Sequence, residues 1–193
     1  AAIEEKKVTP TTVFTIPYKV KRAGTFFHDH EPHPKQRLTT SGVLAVSSNT
    51  GTIMIGEKLT NNQLHDYLTK FGIGVSTGSG LPGESRGILR PVSDWSGTTA
   101  PTVAFGQGYS VTAMQATSVF ATIANDRVRV SPTVIAGTSD VSGKFTASSS
   151  RKSERVVSAQ TAQQLRLMME SVVSGQGTAP SAAIPGLFAP DPP

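Results

Sequence analysis

The chain has 193 residues, 37% hydrophobic and 16% charged, a balance that fits one globular domain with its own core and not a disordered segment. Its net charge of +5 is dispersed, with no Lys/Arg run beyond two residues except the loosely spaced Lys19–Arg22, so a nucleic-acid partner, which needs a dense basic face, is not expected. The absence of cysteine excludes disulfides, thiol catalysis and cysteine-based zinc sites, and no apolar run nears the ~20 residues of a membrane span, so this segment is not expected to contact a membrane.

In chain order, "AAIEEKK" (1–7) holds strong helix formers without an N-cap and reads as the tail of a helix whose beginning lies outside the chain. The β-branched stretch Val8–Val20, broken by Pro10 and Pro17, is extended, with an edge strand near Val13–Ile16. Gly24 turns the chain into a short strand and then the proline-stiffened loop "HDHEPHP". Leu38–Val46 reads as a short helix capped by Thr39 or Thr40, Thr50–Glu57 as a second and Asn62–Phe71 as a third, with Leu64, Tyr67, Leu68 and Phe71 at helical spacing.

A glycine-rich loop spans Gly72 to Trp95, a length that in a compact domain usually signals function or flexibility. Thr112 caps a helix expected to bury Ala113, Ala116, Phe120 and Ile123. Arg127–Ile135 alternates like a strand broken by Pro132, and Ser139–Ser153 reads as a polar loop. Ser158 caps a last helix expected to bury Leu165, Met168, Val172 and Val173 and to stop at Gly175 and Gly177. The proline-rich end cannot be a central strand. No internal repeat and no second domain is visible.

Three constellations carry candidate chemistry. The first is Ser47-Ser48-Asn49, between two apolar runs. A Ser and an Asn two residues apart can face one cavity, the hydroxyl relaying a proton and the amide fixing a substrate carbonyl; the tripeptide also reads as an Asn-capped helix start. The second is His28, Asp29, His30, Glu31 and His33. In an extended segment His28 and His30 point the same way and suit a shared metal. The other reading is a surface loop held by Asp–His hydrogen bonds and two prolines, and with His65 as the sole further histidine and no H-E-x-x-H pattern it is preferred. No metal or other cofactor is therefore expected. The third, Ser149-Ser150-Arg151-Lys152, matches the S-x-x-K nucleophile pattern, but that chemistry needs Ser and Lys one turn apart at a buried helix start, and this match sits in a serine-rich loop after S-x-N. It is read as coincidence.

The segments "FHDHEPHPKQRLTTSGVLAVSSNTGTIMIGEKL", "YLTKFGIGVSTGSGLPGES", "AFGQGYSVTAMQATSVFATIAND" and "VVSAQTAQQLRLMMESVVSGQGTA" follow one another as they do in class B penicillin-binding proteins. The chain resembles this family, most of all the septal cell-division transpeptidases of actinobacteria, from Ala1 to about Gly186. The resemblance implies an α+β, β-lactamase/transpeptidase-like fold of which this chain holds mainly the helical lobe, with a few short strands and the main sheet largely absent. Residues 1–186 would be a partial transpeptidase domain and 187–193 a divergent, proline-rich tail.

The resemblance further implies a serine D,D-transpeptidase that crosslinks peptidoglycan stem peptides and is acylated by β-lactams. Of the family's motifs S-x-x-K, S-x-N and K-T-G, only the middle one is matched, by Ser47 and Asn49. In the family pattern Ser47 would assist proton transfer and Asn49 would hydrogen-bond the substrate amide. Gly106-Gln107-Gly108 matches a family segment near the cleft and is given no catalytic role. The nucleophile's helix would end at "AAIEEKKVTP", placing the nucleophilic Ser and its Lys before residue 1, and no Lys-Thr-Gly follows "IPG". The isolated chain is therefore expected to be inactive. The implied setting is the extracytoplasmic face of the membrane, with the anchor outside this chain and division proteins as partners. A non-catalytic interaction module that binds division partners or cell wall is the alternative.

Overall fold

Among the described residues, short polar residues with a free oxygen start five of the six α-helices. The computed structural model describes residues 1–148, 152–175 and 177–184. Helix α1 (Thr40–Ala45) is capped by Thr39, α2 (Asn49–Gly56) by Ser48, α3 (Asn61–Lys70) by Thr60, α5 (Ala113–Ala124) by Thr112 and α6 (Ala159–Glu170) by Ser158; in each the cap oxygen accepts an otherwise orphaned N–H. Thr60 with Gln63, and Thr112 with Gln115, form reciprocal capping boxes. Helix α4 (Thr99–Ala104) has no side-chain cap.

The strands form four separate antiparallel ribbons: β1 (Val13–Ile16) with β4 (Gln36–Thr39), β2 (Lys19–Arg22) with β3 (Thr25–His28), β5 (Val128–Val130) with β8 (Ser153–Arg155), and β6 (Gly137–Ser139) with β7 (Phe145–Ala147). Among the described residues this is the mixed fold of helices and short strands, without a large sheet, that the family resemblance implies.

Ile16, Val43, Phe14, Val8 and Ala2 form one core, joined by Leu38, Met54 and Ile55. Tyr67, Val156, Val157 and Ala162 form a second. Residues 1–7 join them. Ala2 lies in the first core, Glu4 accepts from the Ser158 N–H (3.0 Å) and hydroxyl (2.9 Å), and Glu5 accepts from the Tyr67 hydroxyl (2.7 Å) and Gln63 Nε2 (3.0 Å). The segment ends as helices end: the Lys7 N–H reaches the Ala2 carbonyl and the Lys6 N–H that of Ile3, with Lys6 at φ 53°.

Several expectations change. The extended reading of Val8–Val20 holds a second strand, β2, which pairs with β3 in a hairpin turned at Ala23 and Gly24. The expected helix from Leu38 begins at Thr40, because Gln36–Thr39 pairs with β1. Helix α2 takes Ser48, not Asn49, as its cap. The expected polar loop from Ser139 instead holds a turn around Asp140 and strand β7, which pairs back on β6. Helix α5 buries Gln115, Thr122 and Ile123, whereas Phe120 is 58% exposed on an open groove between α5 and α6. Helix α6 ends at Glu170, before Val172 and Val173.

Gln115 explains both the shift of face in α5 and the order of the glycine-rich loop. It is 1% exposed, and its Nε2 donates to the carbonyls of Gly72 (3.1 Å), Val75 (2.8 Å) and Arg86 (2.9 Å). One buried amide thus closes both ends of the loop, satisfying carbonyls that have no ladder partner. At the loop's end Gly87 is required: its φ is 67°, and a Cβ there would lie 2.3 Å from the Ser110 carbonyl oxygen. Within the loop, Glu84 accepts from the hydroxyls of Thr77 and Ser76 and from the N–H groups of Thr77 and Gly78, which push its carboxyl down to about 2.

Candidate active site

The Ser47-Ser48-Asn49 stretch is the junction between α1 and α2. Helix α1 closes with the Ser48 N–H on the Val43 carbonyl (3.0 Å) and the Ser47 N–H on the Leu44 carbonyl (3.1 Å). This bonding places the residue after the C-cap in the left-handed region, a position normally held by glycine. Helix α4 obeys the rule: Gly106 sits there with φ 90°, with matching bonds from Gly106 to Val103 and Gln107 to Thr102. In α1 the position is Ser47, at φ 54°. Its side chain is exposed, and among the described residues no hydrogen bond occupies its hydroxyl. A strained non-glycine residue with a free hydroxyl suits a residue kept for chemistry.

The next three residues are held from one side by the end of β3. Asp29 is 6% exposed. Its Oδ2 accepts from the Ser48 hydroxyl (2.8 Å) and the Thr50 hydroxyl (3.2 Å), and its Oδ1 accepts from the Thr50 N–H (2.8 Å). Asn49 Nδ2 donates to the carbonyl of His28 (3.1 Å). Ser48 still caps α2, accepting from the Gly51 N–H (2.9 Å). Gly51 has no room for a side chain, since a Cβ would lie 2.8 Å from both methyls of Val43.

Burial alone would push the Asp29 carboxyl up. The Thr50 N–H, His33, Ser48 and the Thr50 hydroxyl outweigh it and hold the carboxyl below its ordinary value. His33 is its counter-charge. The Nε2 of His33 lies 2.9 Å from Asp29 Oδ2, and its Nδ1 lies 2.7 Å from the Pro34 carbonyl oxygen. Carbonyl and carboxylate both accept, so the two contacts favour a ring that donates from both nitrogens, the imidazolium form. The Pro34 carbonyl first, then Asp29, raises the His33 pKa above its ordinary value.

The histidine cluster is therefore the hydrogen-bonded loop, with the three rings partnered apart. His28 Nδ1 lies on the Asp29 carbonyl (2.8 Å), His30 is exposed beside Glu31, and His33 is on the Asp29 carboxylate. Among the described residues, no group of three or more His, Asp or Glu side chains is placed to hold a metal ion. His65 stands elsewhere, against Trp95. Of the third constellation, Ser149, Ser150 and Arg151 lie outside the described residues, and Lys152 is exposed. Gly106-Gln107-Gly108 ends α4. Sequence reasoning finds Ser47 and Asn49 but not the grip of Asp29 on their neighbours; the one local signal is an acid closing the apolar strand "TFFHD". Among the described residues, no helix is long and apolar enough to cross a membrane.

Comparison with known proteins places these elements in a family. The penicillin-binding protein transpeptidase domain matches residues 1–188. The chain is 41% identical to penicillin-binding protein PbpB of Mycobacterium tuberculosis, over 96% of this chain and 28% of that protein. It is 38% identical to PbpB of Mycolicibacterium smegmatis, over 96% of this chain and 30% of that protein. The chain thus spans less than a third of these relatives. Among solved structures, that of penicillin-binding protein 3 from Mycobacterium tuberculosis complexed with aztreonam superposes with a TM-score of 0.93 at 41% identity, covering 96% of this chain and 43% of that one. The fold is that of the penicillin-binding transpeptidases, and the chain belongs to the penicillin-binding protein transpeptidase family.

Proposed function

We propose that this chain forms one wall of a serine D,D-transpeptidase site that crosslinks peptidoglycan stem peptides during septal wall synthesis and is acylated by β-lactams. Ser47 relays a proton between the nucleophile's neighbouring base and the leaving group, and Asn49 hydrogen-bonds the amide of the bound substrate. The observation that carries this reading is the exposed Ser47 hydroxyl, without a hydrogen bond among the described residues, on a backbone that glycine would adopt more cheaply, two residues from Asn49 and its tethered amide. The family match over residues 1–188 supports it, as does the range of relatives, which includes a probable peptidoglycan D,D-transpeptidase PenA from Neisseria flavescens at 30% identity.

The nucleophile and the third motif come from segments other than those in this chain, which contains no Lys-Thr-Gly and whose S-x-x-K match, Ser149 to Lys152, lies in a serine-rich stretch. By itself the chain does not acylate. Residues 1–186 are the transpeptidase segment and 187–193 a divergent tail; the setting is the extracytoplasmic face of the membrane, with division proteins as partners. The test is a complete transpeptidase domain carrying this segment, reacted with a fluorescent penicillin. Ser47→Ala slows acylation by about 100-fold or more, the scale of a lost proton relay. An unchanged rate contradicts the assignment.

A further inference from the structure

We propose that Asp29, charge-balanced by His33, is a positioning residue that sets the S-x-N turn for the transpeptidase reaction. The inference rests on the reading of Ser47 and Asn49 given above. Neither Asp29 nor His33 touches substrate in this account; both act through residues 48–50.

Asn49 is bracketed by Ser48 and Thr50, and both brackets end on one carboxylate. Its own amide is tied to the carbonyl immediately before Asp29. The β3 end that carries the carboxylate is fixed in turn. The Asp29 N–H donates to the Tyr18 carbonyl (3.0 Å), and the Thr50 hydroxyl shares its single proton between Asp29 Oδ2 (3.2 Å) and the nearer Pro17 carbonyl (2.9 Å). The start of α2 therefore cannot shift relative to the β2–β3 hairpin without breaking bonds to Asp29. A buried carboxylate with four donors orients its partners more sharply than a neutral amide would, because charge-assisted bonds are shorter and stronger.

His33 supplies the fourth of these donors and the compensating charge. Its own rigidity comes from the Pro34 carbonyl and from the Tyr18 ring, which meets it edge-on at 5.9 Å. The other titratable groups near the pair are His28, whose ring lies 5.6 Å from that of Tyr18 and whose Nδ1 is on the Asp29 carbonyl, and Tyr18 itself. The residues that α2 presents to the pair, Ser48 and Thr50, are uncharged. His30, Glu31 and Lys35 are exposed on the loop.

The first arm of the test uses this chain. In a pH titration followed by two-dimensional NMR, the amides of Asn49 and Thr50 move with the His33 ring, and this inflection vanishes in His33→Gln but persists in His30→Gln. Asn49 and Thr50 amides that do not sense His33 overturn the proposal. The second arm uses the complete domain and penicillin acylation. Asp29→Asn, which keeps shape and loses charge, and His33→Gln each slow acylation at least about tenfold, against the roughly 100-fold that a 1 Å misplacement can cost. The pH profile loses its inflection at the His33 pKa in His33→Gln, while His30→Gln matches the parent. If Ser47→Ala slows acylation but neither Asp29→Asn nor His33→Gln does, positioning by Asp29 is wrong and the site assignment stands. If Ser47→Ala has no effect, the site assignment itself fails.

Discussion

Replacing Ser47 by glycine should stabilise the chain while removing a hydroxyl assigned to the site. Ser47 adopts φ 54°. For a residue with a Cβ this left-handed conformation costs roughly 1–2 kcal/mol. Glycine escapes that cost but gives back about 0.5–1 kcal/mol through the greater freedom of its unfolded chain. Among the described residues the hydroxyl has no hydrogen bond to lose, so the difference is a net gain of about 0.5–1 kcal/mol. Ser47→Ala keeps the Cβ and the strain, and stays within about 0.5 kcal/mol of the parent. The reverse change at the same position of α4, Gly106→Ala, has open space around the new Cβ (nearest atom the Tyr109 hydroxyl at 3.9 Å), so it meets backbone strain alone. It should lose about 1 kcal/mol. Urea unfolding followed by circular dichroism reads all three. With a slope of about 2–3 kcal/mol per molar, the Ser47→Gly midpoint rises by roughly 0.3 M. A Ser47→Gly midpoint at or below that of Ser47→Ala refutes the strain argument.

The Asp29–His33 pair sets a pH window for stability. Asp29 is held below its ordinary 3.8, so its contribution is complete above that value and is lost as pH falls through the lowered one; His33 is held above its ordinary 6.5, so its contribution is complete below 6.5 and is lost as pH rises through the raised one. The stability difference between parent and His33→Gln is therefore largest between these two values and shrinks on the alkaline side, as urea midpoints across pH will check. Gln115→Leu strands three carbonyls at the base of the glycine-rich loop and leaves the Thr112 N–H without its acceptor. It should cost about 3 kcal/mol and expose residues 72–91 to protease and to hydrogen exchange. Gly51→Ala forces a methyl against Val43 and should cost about 1–3 kcal/mol in the same urea assay.

Helix starts were the most legible part of the fold, because capping is a local contest between one side-chain oxygen and the next N–H groups. Thr39, Thr112 and Ser158 cap where their sequence context places them. Strand β4 was not legible: Gln36–Thr39 has no strand-like composition and is extended only because β1 pairs with it. The buried face of α5 was misread for a related reason. Gln115 is polar, yet carbonyls distant in sequence bury it as fully as any residue of the helix, while Phe120 turns to an open groove. From sequence alone, the S-x-N motif singles out Ser47 and Asn49, whose roles rest on the proposal above. The hold of Asp29 on the S-x-N turn was not legible, because Ser48 and Thr50 lie about twenty positions away and nothing in "HDHEPHP" distinguishes a buried carboxylate from a surface one. The histidine loop shows the converse. Period-two spacing puts His28 and His30 on one side of a strand, but β3 ends at His28, and the two rings go to different partners.

The most direct test of the central claim is the intact mass of this chain after incubation with excess penicillin. The account places the nucleophile in a segment other than this one and gives Ser47 a supporting role, so it predicts an unchanged mass. A stoichiometric adduct would contradict it: a serine of this chain would then be the acylated residue, with Ser149 the first to map by peptide digestion.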